Sequence, residues 1–227
     1  MKRVFLVVIV FVVCAFLVGC GKKEKEIIDN EKSLVLGGWK INTNANALII
    51  PQKAKNAFDK AQVDKSLTPV LLLGTQVVSG TNYMYLCISE EGFKTIVIYE
   101  DLQGNCSVTK TSDFDVSKYA HNSITNEAKE LSGGWTINTD MTGSKIDSEV
   151  LDVFNDATKT ITGVTYTPLI VLADQIVSGT NYAVLCIGKP STTGNDTYID
   201  VLTIYKNLDG ESSLVSIANV DLAEYNN

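Results

Sequence analysis

The sequence predicts an α+β protein made of two tandem domains, each an antiparallel sheet wrapped on one helix. Three observations carry that prediction. The octapeptide Gln76-Val77-Val78-Ser79-Gly80-Thr81-Asn82-Tyr83 recurs as Gln175-Ile176-Val177-Ser178-Gly179-Thr180-Asn181-Tyr182, which marks an internal duplication. Each copy has a single apolar stripe at helical spacing. Each stripe is followed by four β-rich segments bounded by turn residues.

The duplication runs well beyond the octapeptide. Gly37-Gly38-Trp39-Lys40-Ile41-Asn42-Thr43 matches Gly133-Gly134-Trp135-Thr136-Ile137-Asn138-Thr139 at an offset of 96, as Phe58 matches Phe154. Thr68-Pro69 matches Thr167-Pro168 at 99, and Tyr99, Gly104 and Tyr119 match Tyr205, Gly210 and Tyr225 at 106. The offset grows between Phe154 and Thr167 and again between Cys186 and Tyr205, and such insertions belong in loops. Two long repeats do not make a solenoid, so each copy is expected to fold around its own core.

Within a copy, Trp39 and Ile41, like Trp135 and Ile137, fall on one face of an extended segment. Ala54, Ala57, Phe58 and Ala61 form the first helical stripe, and Val150, Val153, Phe154 and Ala157 the second. Pro51 suits a first helical turn. The β-rich segments are 67–76, 83–89, 93–100 and 106–116, then 166–175, 182–188, 198–205 and 213–220. Short turns between them predict an antiparallel meander, with the helix covering one of its faces.

The N-terminus has a separate purpose. Lys2 and Arg3 precede an apolar run from Val4 to Val18. A secretory signal fits this run, and a membrane span needs about 20 residues. Leu17-Val18-Gly19-Cys20 resembles the bacterial lipoprotein signal, in which cleavage exposes the cysteine and a diacylglycerol is attached to its sulfur. That resemblance implies a signal peptide at 1–19, lipidation at Cys20 and a solvated tether over 20–33. It implies a bacterial cell envelope location, outside the cytoplasm, with the membrane as partner through the N-terminal lipid. Loss of Lys2 and Arg3 takes the formal charge from −7 to −9. So acidic a protein is not expected to bind nucleic acid, where phosphate neutralisation supplies most of the affinity.

Of the five cysteines, Cys14 leaves with the signal and Cys20 is lipidated on this reading. Cys87 and Cys186 are equivalent, and Cys106 has no counterpart. The first two read as small buried apolar residues; a Cys87–Cys106 bridge is the alternative. No metal-type cysteine spacing occurs, and no cofactor is implied. Catalysis is not expected. The only histidine, His121, sits between the copies, so neither contains a Ser–His or Cys–His pair. Asp113 and Asp115 share a strand face without forming an evident acid/base pair, and Asp196 and Asp200 read as solvated.

On these residues the chain resembles the cystatins, and among them the disulfide-free stefins. The shared features are the Gly-Gly pair before the first strand, the helix, the Gln-Val-Val-Ser-Gly hairpin and a second hairpin at Leu102-Gln103-Gly104 or Leu208-Asp209-Gly210. Asp113-Phe114-Asp115-Val116 is similar to the last stefin strand. The resemblance implies cystatin-like domains at 34–119 and 131–227, joined by a linker at 120–130. It implies reversible inhibition of papain-like (C1 type) cysteine proteases by a wedge inserted into the active-site cleft. The contacting residues would be Gly37, Gly38, Gln76, Val77, Val78, Ser79, Gly80, Leu102, Gln103 and Gly104. In the second copy they would be Gly133, Gly134, Gln175, Ile176, Val177, Ser178, Gly179, Leu208, Asp209 and Gly210. Apolar tips suit this role because each buried aliphatic side chain yields about 1.5–3 kcal/mol. Val35 and Leu36 could fill further pockets, whereas the second copy has Ser132 in place of Leu36. Gln103 and Asp209 depart from the proline of the family's second hairpin, and the first copy is expected to inhibit better. The two tryptophans are expected to pack under the helices. The alternative function is a non-inhibitory recognition or scaffold module of the envelope, since fold alone does not fix function.

Overall fold

The computed structural model describes residues 38–43, 49–120, 134–139, 146–192 and 197–225. The signal segment, Cys20, the tether, Gly37, His121, Gly133 and Asp196 lie outside them. Val35–Asn227 form one compact unit that contains both repeats.

The first repeat runs β1 (Trp39–Ile41), α1 (Gln52–Lys60), β2 (Thr68–Val78), β3 (Gly80–Ser89), β4 (Gly92–Glu100) and β5 (Cys106–Asp113). The second runs β6 (Thr136–Ile137), α2 (Ser148–Thr158), β7 (Val164–Val177), β8 (Gly179–Pro190), β9 (Tyr198–Asn207) and β10 (Ser212–Asn219). Each set of strands makes a five-stranded antiparallel sheet in chain order. The duplicated α+β arrangement is therefore as the sequence predicts. Even the irregularities repeat. The β2–β3 register shifts after Pro69 and after Leu72, and the β7–β8 register shifts after Pro168 and after Val171. Asn42 and Asn138 serve the second of these shifts. Their amides donate to the carbonyls of Leu72 and Val171 at 3.2 and 3.1 Å, which a regular ladder would otherwise occupy.

One face of each sheet takes its helix. Ala54 and Ala57 of α1 are buried with Leu72, Tyr83, Tyr85, Cys87, Ile96 and Ile98. Tyr85 Oη donates to the Ala54 carbonyl at 2.8 Å, fixing helix to sheet. Val153, Phe154 and Ala157 of α2 are buried with Val184, Cys186, Leu202 and Ile204. Cys87 and Cys186 are buried free thiols, and burial pushes the Cys87 thiol up to about 12.

The other face departs from expectation. Each repeat keeps its own helix–sheet core, but the opposite face of its sheet is not left in water. Leu71, Leu73, Met84, Leu86 and Val97 of the first sheet share a single apolar cluster with Leu172, Ala183, Leu185, Ile187 and Val201 of the second. The sheets thus pack on each other through the faces away from their helices, giving helix, sheet, sheet, helix. Period-two alternation makes this possible: Met84, Leu86 and Ile88 point to the partner sheet, and Tyr83, Tyr85 and Cys87 to the helix. Trp39 and Trp135 pack against this inter-sheet cluster, not under the helices.

The segments that end each repeat seal the cluster. β5 stops at Asp113, and a 3-10 turn at Val116–Lys118 replaces the predicted strand end. Asp115 caps that turn by accepting from Ser117 N at 2.9 Å, so it does not share a strand face with Asp113. Phe114, Val116, Tyr119 and Ala120 are buried in the cluster, as are Val220, Leu222 and Tyr225. Ala120, read from sequence as linker, therefore belongs to the core. The equivalent tyrosines Tyr119 and Tyr225 meet hydroxyl to hydroxyl at 2.8 Å. Phe114 stacks on both rings, and Lys118 pairs with Glu224. A Cβ on Gly74 would lie 2.9 Å from the Lys40 carbonyl oxygen and 3.0 Å from Leu222 of the other repeat.

Asp200 also corrects the sequence reading. It is buried, accepting from Tyr166 Oη and Asn219 Nδ2, each at 2.9 Å. It stands at the position equivalent to Lys94, which pairs with Asp113 at 2.8 Å in the first repeat. Burial raises the Asp200 carboxyl above the usual carboxylate range, against the lowering effect of its two hydrogen bonds.

Two predictions follow from these contacts. Removing one hydroxyl of the Tyr119–Tyr225 pair leaves the other buried and unpaired, at a cost of about 1–3 kcal/mol, whereas removing both leaves neither stranded. The summed destabilisation of Tyr119→Phe and Tyr225→Phe should exceed that of the double variant, giving a favourable coupling in a urea-denaturation mutant cycle. For Asp200, a raised folded pKa gives stability that is complete below the unfolded value of about 4 and is lost as pH rises through the folded value. Asp200→Asn should therefore raise the melting temperature at pH 7, and the gain should shrink in thermal melts taken near pH 4.

Candidate functional site

Sheet register brings three segments of each repeat to one end. Val78 pairs with Gly80, so Ser79 forms the tip of the β2–β3 hairpin. Thr81 pairs with Glu100, and Glu100 with Cys106, which puts the β4–β5 turn at the same end. Trp39 pairs with Gln76, so Gly38 leads into β1 there as well. The second repeat repeats this order. Val177 pairs with Gly179, Gly179 with Asn207 and Thr136 with Asp174, so exposed Gly134 leads into β6 at that end. Strand spacing separates the two hairpin tips by about 10 Å.

These ends carry apolar side chains in solvent. Val77 and Val78 are 43% and 41% exposed and Leu102 79%; Ile176 is 67% exposed and Leu208 83%. They are among the few large apolar residues that the fold leaves uncovered. Val177 is half-buried, and Ser79, Ser178, Gln103 and Asp209 are exposed.

Gln76 and Gln175 do not join them. Both are buried, and each accepts from the asparagine across its hairpin, Asn82 at 2.6 Å and Asn181 at 2.8 Å. They were expected to touch a partner. Their strand position turns them inward instead, where they hold the hairpin together.

The two glycine pairs differ in what they require. Gly80 and Gly179 have φ of +153° and +133°. A Cβ on Gly80 would lie 2.4 Å from the Glu100 carbonyl oxygen, and one on Gly179 2.2 Å from that of Lys206. Glycine is needed there because β4 or β9 passes against the hairpin, more than to keep the tip thin. Gly104 and Gly210, at φ +81° and +88°, serve the second turns. Around Gly210 there is open space, and the only atom near a Cβ on Gly104 is Lys60 Nζ at 3.9 Å.

Sequence reasoning assigned no part to Tyr99 and Tyr205. Tyr99 Oη donates to the Ser79 carbonyl at 2.7 Å, and Tyr205 Oη to that of Ser178. Each tyrosine thus braces the first tip from the strand that leads to the second. Their signal was present as a repeated pair, but only the register shows what they reach. The second turn of the first repeat is held by Asp101, which accepts from Gln103 N, Asn105 N and Asn105 Nδ2 at 2.8–2.9 Å. These bonds, that from the Asn105 side chain foremost, lower the Asp101 pKa. In the second repeat Asn207 accepts from Glu211 N at 2.8 Å.

The arrangement presents apolar tips braced by tyrosine hydroxyls. Among the described residues no cluster of three His, Cys, Asp or Glu side chains is placed to hold a metal. Compared with models of known protein families the chain matches none, and no curated protein shows significant similarity to it.

Contact with the passing strand predicts unequal glycine tolerance. Gly80→Ala and Gly179→Ala should each cost at least about 2 kcal/mol, since backbone must move as well as adopt a strained φ. Gly210→Ala should cost about 1 kcal/mol, from the positive φ alone. Denaturant titration of the three variants measures the difference.

Proposed function

We propose that the chain is a surface-anchored, reversible inhibitor of papain-like cysteine proteases, in which each repeat inserts its apolar end into the active-site cleft as a stefin-like wedge. The observation that carries this reading is the exposure of Val77, Val78 and Leu102 at one sheet end, matched by Ile176 and Leu208 at the other. Apolar side chains held in water gain about 1.5–3 kcal/mol each when a partner covers them. Hairpins already braced by Tyr99 and Tyr205 lose little conformational freedom on docking. The inter-sheet core supports the reading indirectly. It uses the apolar faces of both sheets, and the tips are left out of it.

The lipoprotein signal resembled by Leu17-Val18-Gly19-Cys20 would hold this inhibitor at a bacterial membrane, facing outward. Burial of Gln76 and Gln175 narrows the contact set to Val77, Val78, Ser79, Ile176, Val177 and Ser178 on the first hairpins. The second hairpins contribute Leu102, Gln103, Leu208 and Asp209, and Gly38 and Gly134 flank them.

Titration of papain activity tests this. The chain should inhibit reversibly, with up to two enzyme molecules bound per chain. Val77→Asn and Ile176→Asn should each weaken one site at least about tenfold. Both positions are exposed, so circular dichroism should be unchanged. Gly80 and Gly179 are unsuited to this test because their replacement disturbs the hairpin itself. Full papain activity at micromolar chain would overturn the proposal.

A further inference from the structure

The two apolar ends are alike in shape and unlike in charge. Lys60 Nζ of α1 donates to the Gly104 carbonyl at 3.2 Å, placing an ammonium on the second tip of the first repeat. The equivalent residue in α2 is Asp156, which pairs with Lys159 on its own helix. At the turns, Gln103 and Asn105 of the first repeat correspond to Asp209 and Glu211 of the second. The bridge beside each tip is also reversed. Lys53 on α1 faces Glu100 on β4 at 3.6 Å, whereas Glu149 on α2 faces Lys206 on β9. Asp101 offsets part of the difference, since its counterpart is the neutral Asn207.

At the second tip, Asp209 and Glu211 stand where the first repeat has Gln103 and Asn105, while the buried pairs Gln76–Asn82 and Gln175–Asn181 and the braces Tyr99 and Tyr205 are kept. Charges at the rim of a contact alter partner choice more than they alter the apolar contact itself. Docking Leu208 brings Asp209 and Glu211 to the partner surface with it. A carboxylate meeting an acidic rim is repelled, and one meeting a basic rim is drawn in.

We propose that the two wedges are selective in opposite senses: the end built on Leu102 suits a protease cleft with a neutral or acidic rim, and the end built on Leu208 one with a basic rim. The inference rests on the inhibitor reading above and adds that the two sites are not interchangeable.

The test uses the full chain in two forms. Ile176→Asn weakens the second wedge and Val77→Asn the first, without changing charge, so each form binds chiefly through the wedge left intact. Binding is measured by calorimetry against native papain and against papain whose surface lysines are succinylated, which turns positive groups into negative ones. The second-wedge chain should bind succinylated papain at least about tenfold more weakly than native papain, and adding Asp209→Asn with Glu211→Gln should abolish most of that loss. The first-wedge chain should lose less than about threefold or gain. Equal losses for both chains, or no recovery on neutralising Asp209 and Glu211, would overturn the charge selectivity while leaving the inhibitor reading in place. Absence of binding by either chain to native and succinylated papain alike would overturn both.

Discussion

Burial of the second face of each sheet is the constraint on which the rest of this structure depends. A helix of nine or eleven residues covers one face. The strands are apolar on both, as the run from Tyr83 to Ile88 makes plain. Left in water, the uncovered face would form a patch far larger than a soluble monomer normally exposes. The duplication supplies the cover, because each repeat is the partner the other lacks. The contact joins equivalent parts of the two copies, Tyr119 with Tyr225 and Lys118 with Glu224, as in a two-fold interface between identical subunits. Joining the copies in one chain makes that association intramolecular and independent of concentration.

Function is confined by the same arrangement. Once both faces of both sheets are occupied, the hairpin ends are the main places where the fold can show apolar side chains without losing core. Their rigidity is built from local chemistry. A Gln–Asn pair closes each hairpin, a tyrosine braces its tip, and a glycine lets the neighbouring strand pass close by. Little of this needs burial of charge, so acidic and basic residues are free to vary around the tips. The reversed Lys53–Glu100 and Glu149–Lys206 bridges show how far such variation has gone with the backbone unchanged.

Much of one repeat was legible in the sequence. Helical stripes, turn residues and the matched segments located both helices and all eight long strands, with ends displaced by a few residues. β3 and β8 begin earlier than their aromatic residues suggest, because Thr81, Asn82, Thr180 and Asn181 continue the ladder. The inter-sheet core was not read, although a signal existed. A strand with one wet face alternates, whereas Met84 to Ile88 and Ala183 to Ile187 are unbroken apolar runs, which mark strands buried on both faces. Trp39 and Trp135 were misplaced for the same reason, since their face was assumed to meet the helix. The inward turn of Gln76 and Gln175 and the burial of Asp200 follow from strand parity and from cross-strand neighbours. A single sequence does not display these until register is fixed.

The shared core is tested most directly by asking whether the halves unfold together. The chain has two tryptophans, one in each repeat, and both pack on the inter-sheet cluster. Trp39→Phe and Trp135→Phe each leave a single reporter, one per half. In urea titrations, each reporter's transition should coincide with the loss of far-ultraviolet circular dichroism measured on the same variant. Two steps in the dichroism of either variant, with the tryptophan reporting only one of them, would mean that the repeats stand independently and that their sheet faces do not depend on each other.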